Sequence, residues 1–306
     1  MLESIMYILN YEKGETYMKK RLFPVLAMFM VLSMIFVGCS QPAENKTADA
    51  DQANNKELTL TEVMNKADEA MTKQKGASYK MDGKQKMGAM GMTIDTDFSF
   101  DINVTNEPQA MYMKGKMELM GQSMPMEMYF VDNMMYQNME GNWVKMNAPA
   151  EMMDQMAKEK PSDTFKKLDA LLKKIGVEKE PKGVTMKKEN GTYVVTIDST
   201  QLEGDQNIFD EMLKEMQGQL GASTKELKDA GMNIDYSKMK IDKIKQAMHI
   251  DEKTFELKFV DQEIKMTVPM DQENFVIEQT MKATVNGAFD GKIEVPEDVK
   301  KKATSL

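Results

Sequence analysis

The chain of 306 residues has one cysteine, one histidine, one tryptophan and one arginine. These scarcities exclude most familiar catalytic apparatus. A Ser–His or Cys–His nucleophile would have to be built around His249 alone. A zinc site of the usual kind needs several His or Cys ligands, and they are missing. Arg21 lies in an N-terminal segment expected to be removed, so no guanidinium is left in the body to grip phosphate. There is no GxxxxGK[ST], and Gly83, Gly88 and Gly91 in "DGKQKMGAMGM" are in the wrong order for a nucleotide loop. Carboxylate-only catalysis of the glycosidase type needs neither His nor Cys, but such enzymes usually display aromatic sugar platforms, and here there is only Trp143. The expectation is a protein without catalytic residues and without a cofactor.

The position of the single cysteine is informative. "MKKRLFPVLAMFMVLSMIFVGC" opens with Lys19, Lys20 and Arg21, continues through an apolar run and ends at Gly38-Cys39. A basic start, an apolar middle and a small residue at the cut describe a secretory signal. Phe36-Val37-Gly38-Cys39 resembles the bacterial lipobox, with Phe36 where that pattern usually has Leu. This resemblance implies cleavage after Gly38 and a diacylglyceryl group on Cys39. The alternative is an uncleaved membrane helix with an incidental cysteine, for which the run is near the lower length limit. Residues 1–17 add nothing to the signal. Glu12-Lys13-Gly14-Glu15 is encodable by a purine-rich run resembling a ribosome-binding site, so translation is expected to start at Met18.

Forty basic and 49 acidic residues give the chain a charge of −9. Removing the four basic and three acidic residues before Cys39 leaves −10. An acidic body argues against nucleic acid as a partner and against electrostatic adhesion to anionic lipid. Two acyl chains on Cys39 would suffice for stable anchoring. Residues 40–57, "SQPAENKTADADQANNKE", are polar and without periodicity, so 39–57 reads as a lipidated cysteine followed by a disordered tether. Its reach is roughly 24 Å.

The folded part is expected over 58–306. "LTLTEVMNKADEAMTKQK" predicts an amphipathic helix, with Thr59 and Glu62 spaced as a capping box. "TIDTDFSFDINV" alternates: Ile94, Thr96, Phe98, Phe100, Ile102 and Val104 share one face. Asp95, Asp97 and Asp101 share the other, which reads as a solvated strand face rather than a calcium site. "PQAMYMKGKMEL" and "PMEMYFVDNMMYQNMEGNWVKM" continue the meander, turning at Asp132-Asn133 and Glu140-Gly141-Asn142. Helices are expected near 151–175 and 203–220. A hairpin turns at Asn190-Gly191. Three long strands follow, at about 238–250, 254–269 and 273–286, and "GKIEVPEDVKKKA" forms the tail. This order indicates an α+β fold, as one large sheet or two small ones. His249, near a strand end, is expected at the surface.

Methionine is the one abundance: 35 in the chain, 29 of them from Cys39 onward and 17 between Met87 and Met156. Three readings stand side by side. Methionine is an adaptable core filler. Met111, Met113, Met124, Met126 and Met128, with Trp143 as a platform, could line a mouldable cavity for a lipid. The same thioethers suit Cu(I), although exported copper proteins often add His or Cys. A further use is as an oxidant sink cycling through sulfoxide.

Taken together, the lipobox, tether, opening helix and "MYFVDNMMYQNMEGNWVKM" resemble an uncharacterised family of Gram-positive lipoproteins. The residues carrying the likeness are Tyr129, Asp132, Tyr136, Trp143, Val144 and Lys145, with the "IEVPEDVKKKA" ending. That family is similar to the LolA/LppX/LprG half-barrel lipoproteins. The resemblance implies a strongly curved antiparallel sheet with helices packed on its concave side. It also implies a location on the outer face of the cytoplasmic membrane and an apolar ligand such as a lipid. Two other functions compete: Cu(I) buffering, which expects methionines exposed in groups, and a structural or interaction module of the envelope, which expects a filled core.

Overall fold

The computed structural model describes residues 57–89, 92–119, 121–139, 141–148, 183–201, 238–270 and 273–305. The expected leader, nearly all of the expected tether, and the helices expected near 151–175 and 203–220 lie outside the described residues.

The opening helix, α1 (Leu60–Thr72), forms where the capping box places it. The Glu62 N–H donates to the Thr59 hydroxyl at 3.3 Å, and the Thr59 N–H donates to the Glu62 carboxylate at 2.7 Å. Two otherwise orphaned amide groups are thereby satisfied at the helix start.

The rest is strand. In chain order these are β1 (Gly76–Ala89), β2 (Met92–Asn106), β3 (Gln109–Leu119), β4 (Gln122–Val131), β5 (Met134–Met139) and β6 (Asn142–Asn147). Then come β7 (Val184–Glu189), β8 (Thr192–Asp198), β9 (Lys240–Asp251), β10 (Leu257–Met270) and β11 (Glu273–Ala288). A short helix α2 (Glu297–Lys302) leads into β12 (Thr304–Ser305). All belong to one sheet of 12 strands, in the order β12-β6-β5-β4-β3-β2-β1-β11-β10-β9-β8-β7. This decides between one sheet and two. Two up-and-down meanders, β1–β6 and β7–β11, are fused where β11 lies antiparallel to β1, with Met81 opposite Ala283 and Met87 opposite Ile277. Among the described residues only β12 pairs in parallel, against β6. The sheet is open, with β12 at one edge and β7 at the other.

The tight turns carry the expected chemistry. Asp132 and Asn133 have φ of 51° and 62°, and Asn190 and Gly191 have 49° and 75°. Positive φ at both central residues matches the right-handed twist of the flanking strands, which is why Asn, Asp and Gly sit there.

The core divides between the two faces. On one, Leu60, Val63, Met64 and Ala67 of α1 pack on Val184, Tyr193, Val195, Met248, Ile250 and Val260 of β7–β10. On the same face, towards β1–β5, Met81, Ile102, Met113, Met128, Met135 and Met281 form a second cluster. On the opposite face, Trp143 packs with Val295, Val299 and Ala303 of the tail, beside Tyr129, Val131 and Tyr136.

Candidate ligand-binding face

Strand pleating sends alternate side chains to opposite faces, so register decides what each face presents. In β1 the inward set is Tyr79, Met81, Gly83, Gln85 and Met87, opposite Ile102, Phe100, Phe98, Thr96 and Ile94 of β2. From β2 the same face runs to Met111, Met113, Gly115 and Met117 of β3, then to Phe130, Met128, Met126 and Met124 of β4. In the other direction it takes Met281, Gln279 and Ile277 of β11, Val260, Gln262, Ile264 and Met266 of β10, and Ile244, Gln246 and Met248 of β9. The result is an apolar surface crossing the central strands. No Asp, Glu, Lys or Arg of β1–β4, β10 or β11 in these positions points to it.

Two aromatic rings lie flat on this face because glycine leaves room. Phe98 is opposite Gly83, and Phe100 is opposite Gly115. A Cβ on Gly83 would strike the Phe98 ring and the Thr280 carbonyl; one on Gly115 would strike the Ser99 carbonyl and Phe100. The two rings stack with centroids 6.0 Å apart.

The methionines singled out from the sequence fall together. Met111, Met113, Met124, Met126 and Met128 all lie on the apolar face, with Met113 opposite Met128 and Met111 opposite Phe130. Met113, Met126 and Met128 are buried. Trp143 stands apart from them. Its neighbour Val144 is opposite Gln137, which is opposite Met128, so Trp143 has the other parity. There it packs against Tyr129, with ring centroids 5.8 Å apart and the planes tilted by 39°, and is covered by the tail.

Sequence reasoning missed the polar residues on the apolar face. Gln85 is directly opposite Thr96 on one side and Gln279 on the other. Gln262 is directly opposite Gln246, and diagonal to Gln279 through the pairs Gln262–Met281 and Gln279–Ile264. All five are buried, at 1% exposure for Thr96, 3% for Gln279 and 4% for Gln85, Gln246 and Gln262. The signal was present as single polar residues at inward positions of strands otherwise apolar on that side. Both amide atoms of Gln262, the Oε1 of Gln279 and the hydroxyl of Thr96 have no hydrogen-bond partner among the described residues. Each such atom costs about 1–3 kcal/mol.

The other face is charged. Lys84 lies 3.8 Å from Asp97 and Lys86 4.0 Å from Asp95. These aspartates are thus lysine partners on a solvated strand face. Such exposed pairs are worth about 0–1 kcal/mol each. Among the described residues, no group of three or more His, Cys, Asp or Glu is placed to hold a metal ion. Tyr112 donates to Glu127 at 2.9 Å; burial, then that carboxylate, push its phenol well above the ordinary tyrosine range. His249 is not the surface residue expected. Its side chain is 20% exposed, it stacks on Phe259 at 3.9 Å, and its Nε2 is 3.5 Å from Asp261. Burial lowers its pKa against the opposing pull of Asp261.

Residues 59–304 match the model of a family described as a "Family of unknown function (DUF6612)". No curated protein matches the sequence. Among solved structures the chain is similar to LprF from Mycobacterium bovis at 15% identity, covering 78% of this chain and 95% of that one with a TM-score of 0.34. It is also similar to lipovitellin, in a structure concerned with lipid–protein interactions, at 11% identity, covering 72% of this chain and 26% of that one with a TM-score of 0.29. A DUF1329 family protein from Desulfovibrio piger matches at 7% identity, covering 76% and 93% of the two chains, with a TM-score of 0.25.

Proposed function

This chain belongs to the DUF6612 family, whose function is unknown, and we propose that it is a non-catalytic, membrane-tethered binder of an apolar ligand. The observation that carries the reading is the apolar face itself. It runs across the central strands and is lined by methionine, isoleucine, valine and phenylalanine, with no ionised side chain among Tyr79–Met87 of β1, Ile94–Ile102 of β2, Met111–Met117 of β3, Met124–Phe130 of β4, Val260–Met266 of β10 and Ile277–Met281 of β11 that has this parity. Methionine is suited to this work, because its unbranched thioether repacks around irregular hydrocarbon at little cost. The tether and a diacylglyceryl group on Cys39 would hold the domain at the outer face of the cytoplasmic membrane, where lipid is the abundant apolar molecule.

The distribution of the thioethers favours this reading over Cu(I) buffering. Met113, Met117, Met126 and Met128 are buried on one face rather than displayed in groups at the surface. The test is native mass spectrometry of the Cys39→Ser protein starting at residue 39, purified from cells without detergent. The substitution removes the covalent lipid, so any adduct is non-covalent. The expected result is a co-purified lipid mass. A copper adduct in its place, or a bare protein that takes up no added lipid, would overturn the proposal.

A further inference from the structure

An apolar face that binds only hydrocarbon has no use for a row of buried amides. Thr96, Gln85, Gln279, Gln262 and Gln246 occupy five adjacent strands, β2, β1, β11, β10 and β9. Directly opposite partners in such a row stand roughly 4.5–5.5 Å apart, and diagonal ones roughly 7–8 Å. The row therefore forms one polar track through the centre of the face. Its middle is unsatisfied: Gln262 has a free N–H₂ and a free carbonyl, Gln279 a free carbonyl and Thr96 a free hydroxyl among the described residues. Buried polar groups are ordinarily paired, so a cluster of unpaired ones calls for a ligand, an ion or water.

We infer that this track is the polar end of the ligand site and that it takes an uncharged acyl lipid carrying both a carbonyl and a hydroxyl or N–H. The inference rests on the apolar-ligand reading above and narrows it to a class. The carbonyl of an acyl ester or amide accepts from the Gln262 amide N–H₂. A hydroxyl or N–H beside it donates to the Oε1 of Gln279 or Gln262. The acyl chains then lie along the methionine- and phenylalanine-lined strands on either side. A carboxylate or phosphate is disfavoured at this position, because among the described residues β1–β4, β10 and β11 bring no cation to this face and a buried charge without a partner is strongly unfavourable.

The experiment is a competition followed by native mass spectrometry. The Cys39→Ser protein starting at residue 39 is offered equal amounts of 1,2-dipalmitoylglycerol and 1,2-di-O-hexadecylglycerol. The two have the same chain length and the same hydroxyl; the ether lacks both carbonyls. The wild-type track is expected to favour the ester by about tenfold, the worth of one well-made hydrogen bond in a buried site. Gln262→Met, close in shape but without the amide, should bring the ratio to about unity while the protein still binds, and should raise the melting temperature of the lipid-free protein. If both lipids bind the wild type equally, the track does not read the carbonyl and the inference fails, while the apolar reading stands. If neither binds, both fail. The wild-type ratio decides even if the variant does not fold.

Discussion

His249 is the only histidine, and its surroundings set its pH response. It is packed face to face on Phe259, over which the Lys282 ammonium sits at 3.9 Å. Asp261 lies beside the imidazole, and Glu189 adds a weaker favourable field. Burial, joined by the Lys282 ammonium, outweighs both carboxylates and lowers the folded-state pKa below the ordinary 6.5. The unfolded chain therefore binds the proton more readily. The stabilisation is complete above about pH 6.5 and is lost as pH falls through that value towards the lower folded one. Carboxylates held low in the folded state, such as Asp198, Glu278 and Asp251, contribute in the same direction but start from 3.8–4.5, outside this window. Between pH 7.5 and 5.5 the wild type is thus expected to lose melting temperature, and His249→Asn to lose measurably less. Equal losses in the two proteins would mean that the imidazole is not the titrating group.

The C-terminal tail is the element whose role was least visible in advance. "GKIEVPEDVKKKA" has only a few apolar residues, and α2 buries just Val299, too little periodicity to announce a helix. Its purpose lies in what it covers: Trp143, Tyr129 and Tyr136 would otherwise form an exposed aromatic patch on the charged face. The strand that ends the tail fixes the edge by pairing Thr304 with Val144 and Ser305 with Lys145. Because Trp143 is the only tryptophan, its fluorescence reports this packing alone. Val299→Asp places a carboxylate against the ring and should shift the emission to longer wavelength while leaving the far-ultraviolet strand signal intact. An unchanged emission maximum would mean that α2 does not cover the tryptophan. Other elements were readable because their signals are local. Thr59 and Glu62 are three residues apart, the alternation of β2 is unbroken, and Asn190-Gly191 specifies its own turn. That Trp143 and Met128 would take opposite faces was not readable. Their parity depends on the β4–β5–β6 register, which is a property of pairing and not of either strand alone.

Across the whole molecule, one pairing creates the candidate site. Each meander by itself brings only part of the glutamine track: Gln85 and Thr96 from the first, Gln246, Gln262 and Gln279 from the second. They become one row only where β11 docks on β1, a contact between the two ends of the folded part that no local pattern announces. The apolar face itself was legible, since the inward positions of β2 and of the methionine-rich strands alternate in sequence. The same alternation sends Lys, Asp and Glu to the opposite face, where they pair with one another, as Lys243 does with Glu263 and Lys265 with Glu278 at 2.7 Å. Such a surface has no excess of cations, and the chain from Cys39 onward carries −10. Anionic lipid headgroups would repel it on balance, so electrostatics cannot hold the domain to a membrane. On the proposed reading, retention would come from acyl chains on Cys39, whose hydrophobic burial is indifferent to ionic strength. On fractionation of cells expressing the full chain, the wild-type protein is expected in the membrane pellet and to stay there through a high-salt wash. If Cys39 is processed as the lipobox resemblance implies, Cys39→Ser should remain at precursor mass. The decisive comparison is therefore Cys39→Ser behind a signal peptide that does not depend on that cysteine. Secreted in this form, the domain should be recovered in the soluble fraction. Its retention in the pellet, or salt-induced release of the wild type, would show that the folded surface and not the acyl group makes the attachment.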